Sequence, residues 1–359
     1  MRETSVDRRA VLAGAAGLAT ALAGCISTSA TPPGQASQGN GAGQADELLK
    51  AGGSSTVFPV VNRAASYWNG NYPSTDAEYW GPTQYGISTD KRLADYWGGF
   101  YGYEADGDSV PPFNVTVGLS HSGTGLEKLM SGQNSIANAS APVAAEFPEM
   151  GRNERNKFVD HVIGVDAQPI VVSQAIYDAG VTRLTADQLR GIYKGEIENW
   201  SEIPSYSGPD REIQAVGRTD GSGTDTAFRN NLYGDPDASI PGRDSEKGQN
   251  QQVKEIVNNT DNAIAYLALA FVDDSVPAIT LEFEGTDYVP GENLSDPGYP
   301  LSRDLHCYTY EGTSRKEAAF LRMIISDYGQ EKFVEPAGYA TLTAERQQTQ
   351  LDALPDPEQ

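Results

Sequence analysis

The sequence predicts an α/β fold whose sheets are covered by helices, and three stretches carry that expectation. Each runs from a short apolar strand through a loop of Gly, Ser and Thr into an amphipathic helix, the alternation from which layered α/β folds are built. No fixed-period repeat and no coiled-coil heptad accompanies it.

The first stretch is "LLKAGGSSTVFPVVNRAASYW", residues 48–68. Val57, Val60, Val61, Ala64 and Trp68 fall on one helical face, and Pro59 stands where a first-turn proline is tolerated, so the loop "GGSST" feeds a helix N-terminus. The second is "FNVTVGLSHSGTGLEKLM", residues 113–130: "NVTVGL" alternates as a strand, Ser122 is placed to cap, and Leu126, Leu129 and Met130 share a face. The third contains "AVGRTDGSGTDTAF", residues 215–228. Here "IQAVGR" is the strand, "TDGSG" the loop, and Ala227, Phe228 and Leu232 face the core from the helix that follows. Between the second and third lies "LTADQLRGIYKGEIENWSEI", where Thr185 and Gln188 have capping-box spacing and Leu189, Ile192 and Tyr193 make an apolar face. It reads as a scaffold helix. Residues 70–113, rich in Tyr, Trp, Gly and Asp, are the least regular part and read as a long surface insertion packed by its aromatic side chains.

The 359 residues suffice for two domains with cores of their own, and the 38% apolar content is that of a globular protein. The net charge of -23, from 49 acids against 26 bases, disfavours nucleic acid and anionic lipid as partners. The acids are spread along the whole chain and lysine is scarcer than arginine, a pattern that suits strong brine and points to a halophilic archaeal source. At about 1 M salt the Debye length is about 3 Å, so such a surface can bind an anion locally without repelling it from afar.

The one long apolar run, residues 10–24, follows "DRR" and ends in "LAGC". It reads as a twin-arginine lipoprotein signal over residues 1–25 with Cys25 as the lipidated residue, followed by a flexible tether over 26–45. The protein is then expected outside the cytoplasm, anchored to the outer face of the cell membrane through Cys25. Cys307 is left without a disulfide partner, and His121, His161 and His306 belong to no metal-binding pattern, so neither metal nor cofactor is expected.

A helix N-terminus carries unpaired N–H groups and the positive end of the helix dipole, so three of them converging would surround an oxyanion. Ser55, Thr56, Ser122, Ser222 and Thr224 offer hydroxyl donors, and Arg218 is the one fixed cation, matched to two oxygens of a tetrahedral anion. Asp220, two residues on, is expected to hold the guanidinium or to accept a proton from the anion. "GRTDGSGT" lacks the lysine of a phosphate-binding P-loop, and "GLSHSG" is not the nucleophile elbow of a hydrolase. No catalytic residue is assigned, and an enzyme such as a phosphomonoester hydrolase is the weaker reading.

These segments resemble those of the phosphate-binding lipoproteins that serve ABC-type importers, within the type II periplasmic-binding-protein fold. The resemblance runs from about residue 48 to about 345 and rests on "GSSTVFP", "GLSHSGTGLEKLMSGQNSIANASAP", "LTADQLRGIYKGEIENWSEI", "AVGRTDGSGTDTAF", "NAIAYLALAF" and "YPLSRDLHCYTY", in that order. It implies two α/β lobes joined by two crossing strands near 165–172 and 300–307, with the ligand cleft between them. One lobe would comprise 46–168 plus 305–359, including the insertion 70–113, and the other 169–304. It implies inorganic phosphate as ligand and permease subunits of an ABC transporter as partners. The first loop would contribute Thr56 with the backbone of Val57 and Phe58, the second Ser122, and the third Arg218, Ser222, Gly223 and Thr224, with Asp220 steadying the arginine. Some members carry an acidic residue that accepts the proton of phosphate, and Ser140 of "NASAP" stands in its place here. Sulfate, tungstate and molybdate therefore stay open as alternative ligands.

Asn114, Asn138, Asn199, Asn258 and Asn293 begin glycosylation sequons. A glycan on Asn138 would block the cleft, so peptide mass spectrometry of the native protein is expected to find Asn138 unmodified.

Overall fold

The computed structural model describes residues 48–105, 109–294, 296 and 298–358. The apolar run, Cys25 and the tether lie outside the described residues. Among the described residues, no helix is long and apolar enough to cross a membrane.

The chain starts with β1 (Leu49–Ser54) and α1 (Phe58–Gly70), followed by α2 (Leu93–Gly99), β2 (Val115–Ser120), α3 (Ser122–Met130) and β3 (Ile136–Ala139). Two short helices, α4 (Val143–Glu146) and α5 (Arg152–Arg155), lead to the long strand β4 (Phe158–Ala167). Next come β5 (Ile170–Val172), α6 (Gln174–Asp178), β6 (Arg183–Thr185), α7 (Ala186–Lys194), β7 (Gln214–Arg218) and α8 (Gly223–Tyr233). They are followed by β8 (Ser245–Lys247), α9 (Asn250–Asn259), β9 (Ala263–Tyr266), β10 (Ala278–Phe283) and β11 (Thr286–Tyr288). The return strand β12 (Ser302–Tyr310) and the helices α10 (Arg315–Ile325), α11 (Asp327–Gly329) and α12 (Ala344–Asp352) complete the fold.

The strands form two sheets. The first has the order β2-β1-β3-β12-β4, parallel from β2 to β3 and antiparallel through β12 and β4. The second runs β11-β10-β5-β9-β7-β8, with β6 on β10. The chain leaves the first sheet at the end of β4 and returns through β12, and these two strands pair along their length. Gln168 N donates to Leu301 O at 2.9 Å, which carries the pairing beyond Ala167 at the point of passage.

Each α/β unit forms for local reasons. In α1 the apolar positions repeat at helical spacing, and Val57, Val60, Val61, Ala64 and Trp68 are all fully buried. β1 extends through Gly52, Gly53 and Ser54, so the loop expected from "GGSST" shortens to Ser55–Val57. The glycines there serve close packing: a Cβ on Gly125 of α3 would stand 2.7 Å from Gly53 Cα and 2.8 Å from Gly52 O. Without that approach α3 could not lie on β1. The expected cap of α7 is present, with Gln188 N donating to Thr185 Oγ1 at 3.2 Å and Thr185 N to Gln188 Oε1 at 2.9 Å.

Residues 70–113 differ from a surface insertion. Trp80, Leu93, Trp97, Tyr101 and Phe113 belong to the main core of the first sheet, together with Trp68, Phe320 and Tyr328. Trp80 meets Tyr328 edge-on at 5.1 Å, and Trp68 packs on Phe113 at 4.7 Å. The buried indole N–H groups are satisfied by backbone, Trp68 donating to Phe113 O at 2.8 Å and Trp80 to Lys91 O at 3.0 Å. Asn71 begins this segment in the left-handed region (φ 38°) and is fully buried; its Oδ1 accepts from Ala94 N at 2.9 Å. The segment is an irregular piece of core that interlocks α1, α10 and α11.

Removing a large buried aromatic costs about 3–5 kcal/mol. Trp80→Ala is therefore expected to lower unfolding stability by that amount in denaturant titrations, with the midpoint shifted and the secondary-structure signal of the folded baseline unchanged.

Candidate anion site

Three strand-to-helix turns meet where the two sheets face each other. They are the turns β1–α1, β2–α3 and β7–α8, at the carboxyl ends of parallel strands, the usual place for a ligand in open α/β sheets. Their N-cap residues are Val57, His121 and Ser222, and none makes a side-chain capping bond. By contrast α7, α10 and α12 are capped by Thr185, Ser314 and Thr343. The three helices that converge thus keep their first-turn N–H groups free of side-chain caps, which is what an anion requires.

The converging side chains are Ser55, Thr56, Ser122, Ser140, Arg218, Ser222 and Thr224, all buried. Val57 and Phe58 form the first turn of α1, whose carbonyl at Thr56 accepts from Tyr339 Oη at 2.7 Å. The halves touch directly: Thr56 Oγ1 lies 3.1 Å from Thr224 Oγ1, and Gly123 N donates to Gly221 O at 3.2 Å. A Cβ on Gly223 would stand 2.2 Å from Ser122 Oγ and 2.7 Å from Ser140 Oγ, so only glycine lets α8 close on the second loop.

Two expected roles change. Asp220 does not hold Arg218; it is exposed and pairs with Arg229 at 3.2 Å. The turn after β7 carries it outward, with Gly221 at φ 75° and Ser222 N bonded back to Thr219 O. Ser122 is not the cap of α3 but its first residue, and its hydroxyl accepts from Ser140 N at 3.2 Å. Ser222 Oγ is buried without a hydrogen-bond partner.

Arg218 is instead gripped by neutral groups. Its Nε donates to Lys247 O at 3.0 Å, Nη1 to Asn250 Oδ1 at 2.9 Å, and Nη2 to Gly248 O at 2.7 Å and Ser55 Oγ at 3.2 Å. It is 1% exposed, and among the described residues it forms no ion pair with a carboxylate. Burial first, and the charge of Arg303 second, lower its pKa to about 10, which leaves it charged at neutral pH.

Arg303, Asp166, Asn250 and Glu146 also shape the site and were not among the expected residues. Arg303, in β12, donates to Asp166 from Nε (2.9 Å) and Nη2 (2.7 Å), to Gly223 O from Nη1 (3.0 Å), and from Nη2 to Thr56 Oγ1 (3.1 Å) and Thr224 Oγ1 (3.2 Å). Burial pushes the Asp166 carboxyl up and the Arg303 charge opposes that shift. Asn250 Nδ2 donates to Ser55 Oγ and Thr56 Oγ1, both at 3.1 Å. Its orientation follows from Oδ1, which accepts from Arg218 and from Ala268 N.

This pattern sets the hydroxyl protons. A guanidinium and an amide NH₂ only donate, so the Ser55 and Thr56 oxygens act as acceptors and Thr224 Oγ1 shares a hydrogen of Arg303 Nη2; the Ser55 O–H is left to donate, while one O–H of the Thr56–Thr224 pair is taken up between those two residues. The seam between the sheets is lined by donors: two arginines, three helix N-termini and a ring of hydroxyls. Nothing here resembles a nucleophile with an activating base, and no group of metal ligands occurs among the described residues.

The profile described as the PBP superfamily domain matches residues 103–328. The chain belongs to the PBP superfamily. Phosphate-binding protein PstS of Bacillus subtilis is 30% identical over 234 residues, covering 65% of this chain and 73% of the relative. PstS of Staphylococcus aureus is 25% identical, covering 67% and 73%. This superfamily member is thus a homologue of the PstS phosphate-binding proteins. Among solved structures, a phosphate ABC transporter substrate-binding protein with bound phosphate from Clostridium perfringens matches with a TM-score of 0.61 at 21% identity, over 83% of this chain and 100% of that one. An ABC-type phosphate transport receptor from Vibrio cholerae matches with a TM-score of 0.52 at 24% identity, over 82% and 100%. These likenesses establish the type II periplasmic-binding-protein fold.

Gly223→Ala places a methyl group against the Ser122 and Ser140 hydroxyls. It is expected to weaken anion binding more than tenfold in calorimetry while leaving circular dichroism and thermal unfolding close to the parent.

Proposed function

We propose that this protein captures inorganic phosphate outside the cytoplasm, in the seam between its two sheets, and delivers it to the permease subunits of an ABC importer. The observation that carries the reading is a fully buried arginine, Arg218, gripped only by neutral groups where three uncapped helix N-termini converge. A buried cation without a counter-charge is costly to keep, and a tetrahedral anion is the partner that its planar fork and the surrounding N–H groups fit. The names of the PstS relatives agree with this ligand.

The binding residues in this reading are Ser55, Thr56, Val57, Phe58, Ser122, Ser140, Arg218, Ser222, Gly223 and Thr224, with Arg303 and Asn250 orienting the hydroxyls. Two lobes, 46–168 plus 305–359 and 169–304, close over the anion by bending at the passages next to Gln168 and Leu301, and the closed form docks on the permease. The apolar run ending at Cys25 supports a twin-arginine lipoprotein signal and a lipid anchor. The dispersed acidity supports a halophilic origin.

Calorimetry in high salt tests the reading with phosphate and sulfate as ligands. Arg218→Ala removes charged hydrogen bonds worth about 1.5–3 kcal/mol each, so phosphate affinity is expected to fall at least about tenfold. Unchanged phosphate binding in that variant overturns the site.

A further inference from the structure

The turn "GLSHSG" brings an imidazole to the place where the two halves of the seam meet. His121 ends the β2–α3 turn as the N-cap residue of α3, with an extended backbone and a half-buried side chain that makes no capping bond. Facing it is the turn between β8 and α9. A Cβ on Gly248 would stand 3.2 Å from His121 Cε1 and 3.5 Å from Nε2, so the ring occupies space that a side chain at 248 would need.

This facing turn is the one that grips the buried cation. Gly248 O accepts from Arg218 Nη2 at 2.7 Å, and Lys247 O accepts from Nε at 3.0 Å. The imidazole of one half therefore lies against the backbone that fixes Arg218 in the other. Its Nδ1 is buried and has no hydrogen-bond partner.

These surroundings disfavour the charged ring. Burial first, and the Arg218 charge second, hold the His121 pKa below its ordinary value. The positive end of the α3 dipole acts in the same direction. The other elements packed here add little charge of opposite sign. Lys247 of β8 precedes Gly248, and α9 presents the neutral Gln252, whose Oε1 would be 3.6 Å from the same Cβ. Glu146 of α4 lies against the first turn of α3, where a Cβ on Gly123 would stand 3.3 Å from its Oε2. Burial pushes the Glu146 pKa up to about 8, so it is neutral where a histidine titrates. An anion held by Arg218 and the helix N-termini reverses the field at the ring.

We propose that His121 couples anion capture to proton uptake, the imidazole taking a proton when phosphate enters the seam and losing it when the ion leaves. The inference rests on the phosphate-capture reading above. The proton comes from solvent, and the imidazole N–H is the one bond formed. His121 is a positioning residue in this scheme: it acts on the ion through its charge and through the turn that holds Arg218.

The sign of the pH dependence follows. Without the anion His121 titrates below the ordinary histidine range, and with the anion it titrates higher. The gain in affinity is complete below the lower of these two values and is lost as pH rises through the upper one. By reciprocity, a rise of about one unit in the His121 pKa corresponds to about tenfold in phosphate affinity across that window.

Proton NMR of the imidazole Hε1 resonances, in constant high chloride, tests the coupling directly. The chain has three histidines, and the resonance missing from His121→Asn identifies His121. Saturating phosphate is expected to raise its pKa by at least about one unit. Calorimetry supplies a second readout: between pH 9 and pH 5.5 the parent is expected to gain at least about threefold more phosphate affinity than His121→Asn or His121→Gln. The titrations of phosphate and of Glu146 are common to all three proteins and cancel in the comparison. A purely structural role would weaken binding in the variants equally at both pH values. A His121 pKa unmoved by bound phosphate, or equal pH dependence in the parent and both variants, overturns the coupling and leaves the capture reading standing. A parent protein that binds no phosphate overturns the capture reading itself.

Discussion

Two guanidinium groups, Arg218 and Arg303, are buried at one hydroxyl cluster, and only Arg303 has a carboxylate against it. The rest of the site is arranged around that imbalance. Carbonyl oxygens of Lys247 and Gly248 and the side chain of Asn250 take up the hydrogens of Arg218 without neutralising it. Because these partners leave the charge in place, the fold stores a positive potential where the helix dipoles of α1, α3 and α8 add to it. The Arg218 backbone, at the end of β7 where it pairs with β8, is anchored through Tyr266, whose hydroxyl accepts from Arg218 N and contacts Asp225.

The parts of this arrangement that the sequence makes legible are local ones. A strand, a Gly/Ser/Thr turn and an apolar helical face lie within about twenty residues, so α1, α3 and α8 and their hydroxyls can be read directly. Groups that reach the site from elsewhere leave no such trace. Arg303 sits in a strand whose neighbours are mostly core, Asn250 in a run of glutamines, and Glu146 in a four-residue helix. Asp220 misleads for the opposite reason: closeness in sequence to Arg218 suggests contact, but a left-handed glycine turn sends its side chain to solvent. Residues 70–113 look like a surface because their aromatics follow no period. Trp80 is brought to the core by the turn whose Trp80 and Gly81 amides bond back to Asp76 O, and Trp97 by the seven-residue α2, neither long enough to show a face in the sequence.

The acidity of the chain and the basicity of its seam are separate physical facts. A net charge of -23 describes the surface and its hydration, while the seam contains buried arginines, amides and hydroxyls. In concentrated salt the surface field is screened over a few ångströms, whereas charges in the low-dielectric seam are screened far less. The protein can therefore be strongly anionic outside and anion-seeking within.

Arg303 bonds to Thr56 of the first loop and to Gly223 and Thr224 of the third, and it stands in the strand beside the passage between the sheets. Its donors are divided between the two halves, so they part whenever the seam opens, whatever the seam contains. On the phosphate-capture reading proposed above, the lifetime of a captured ion would then be governed partly by bonds the ion does not make. An importer that pries the halves apart would act on those bonds first, and the cargo would be freed as a consequence of losing its enclosure.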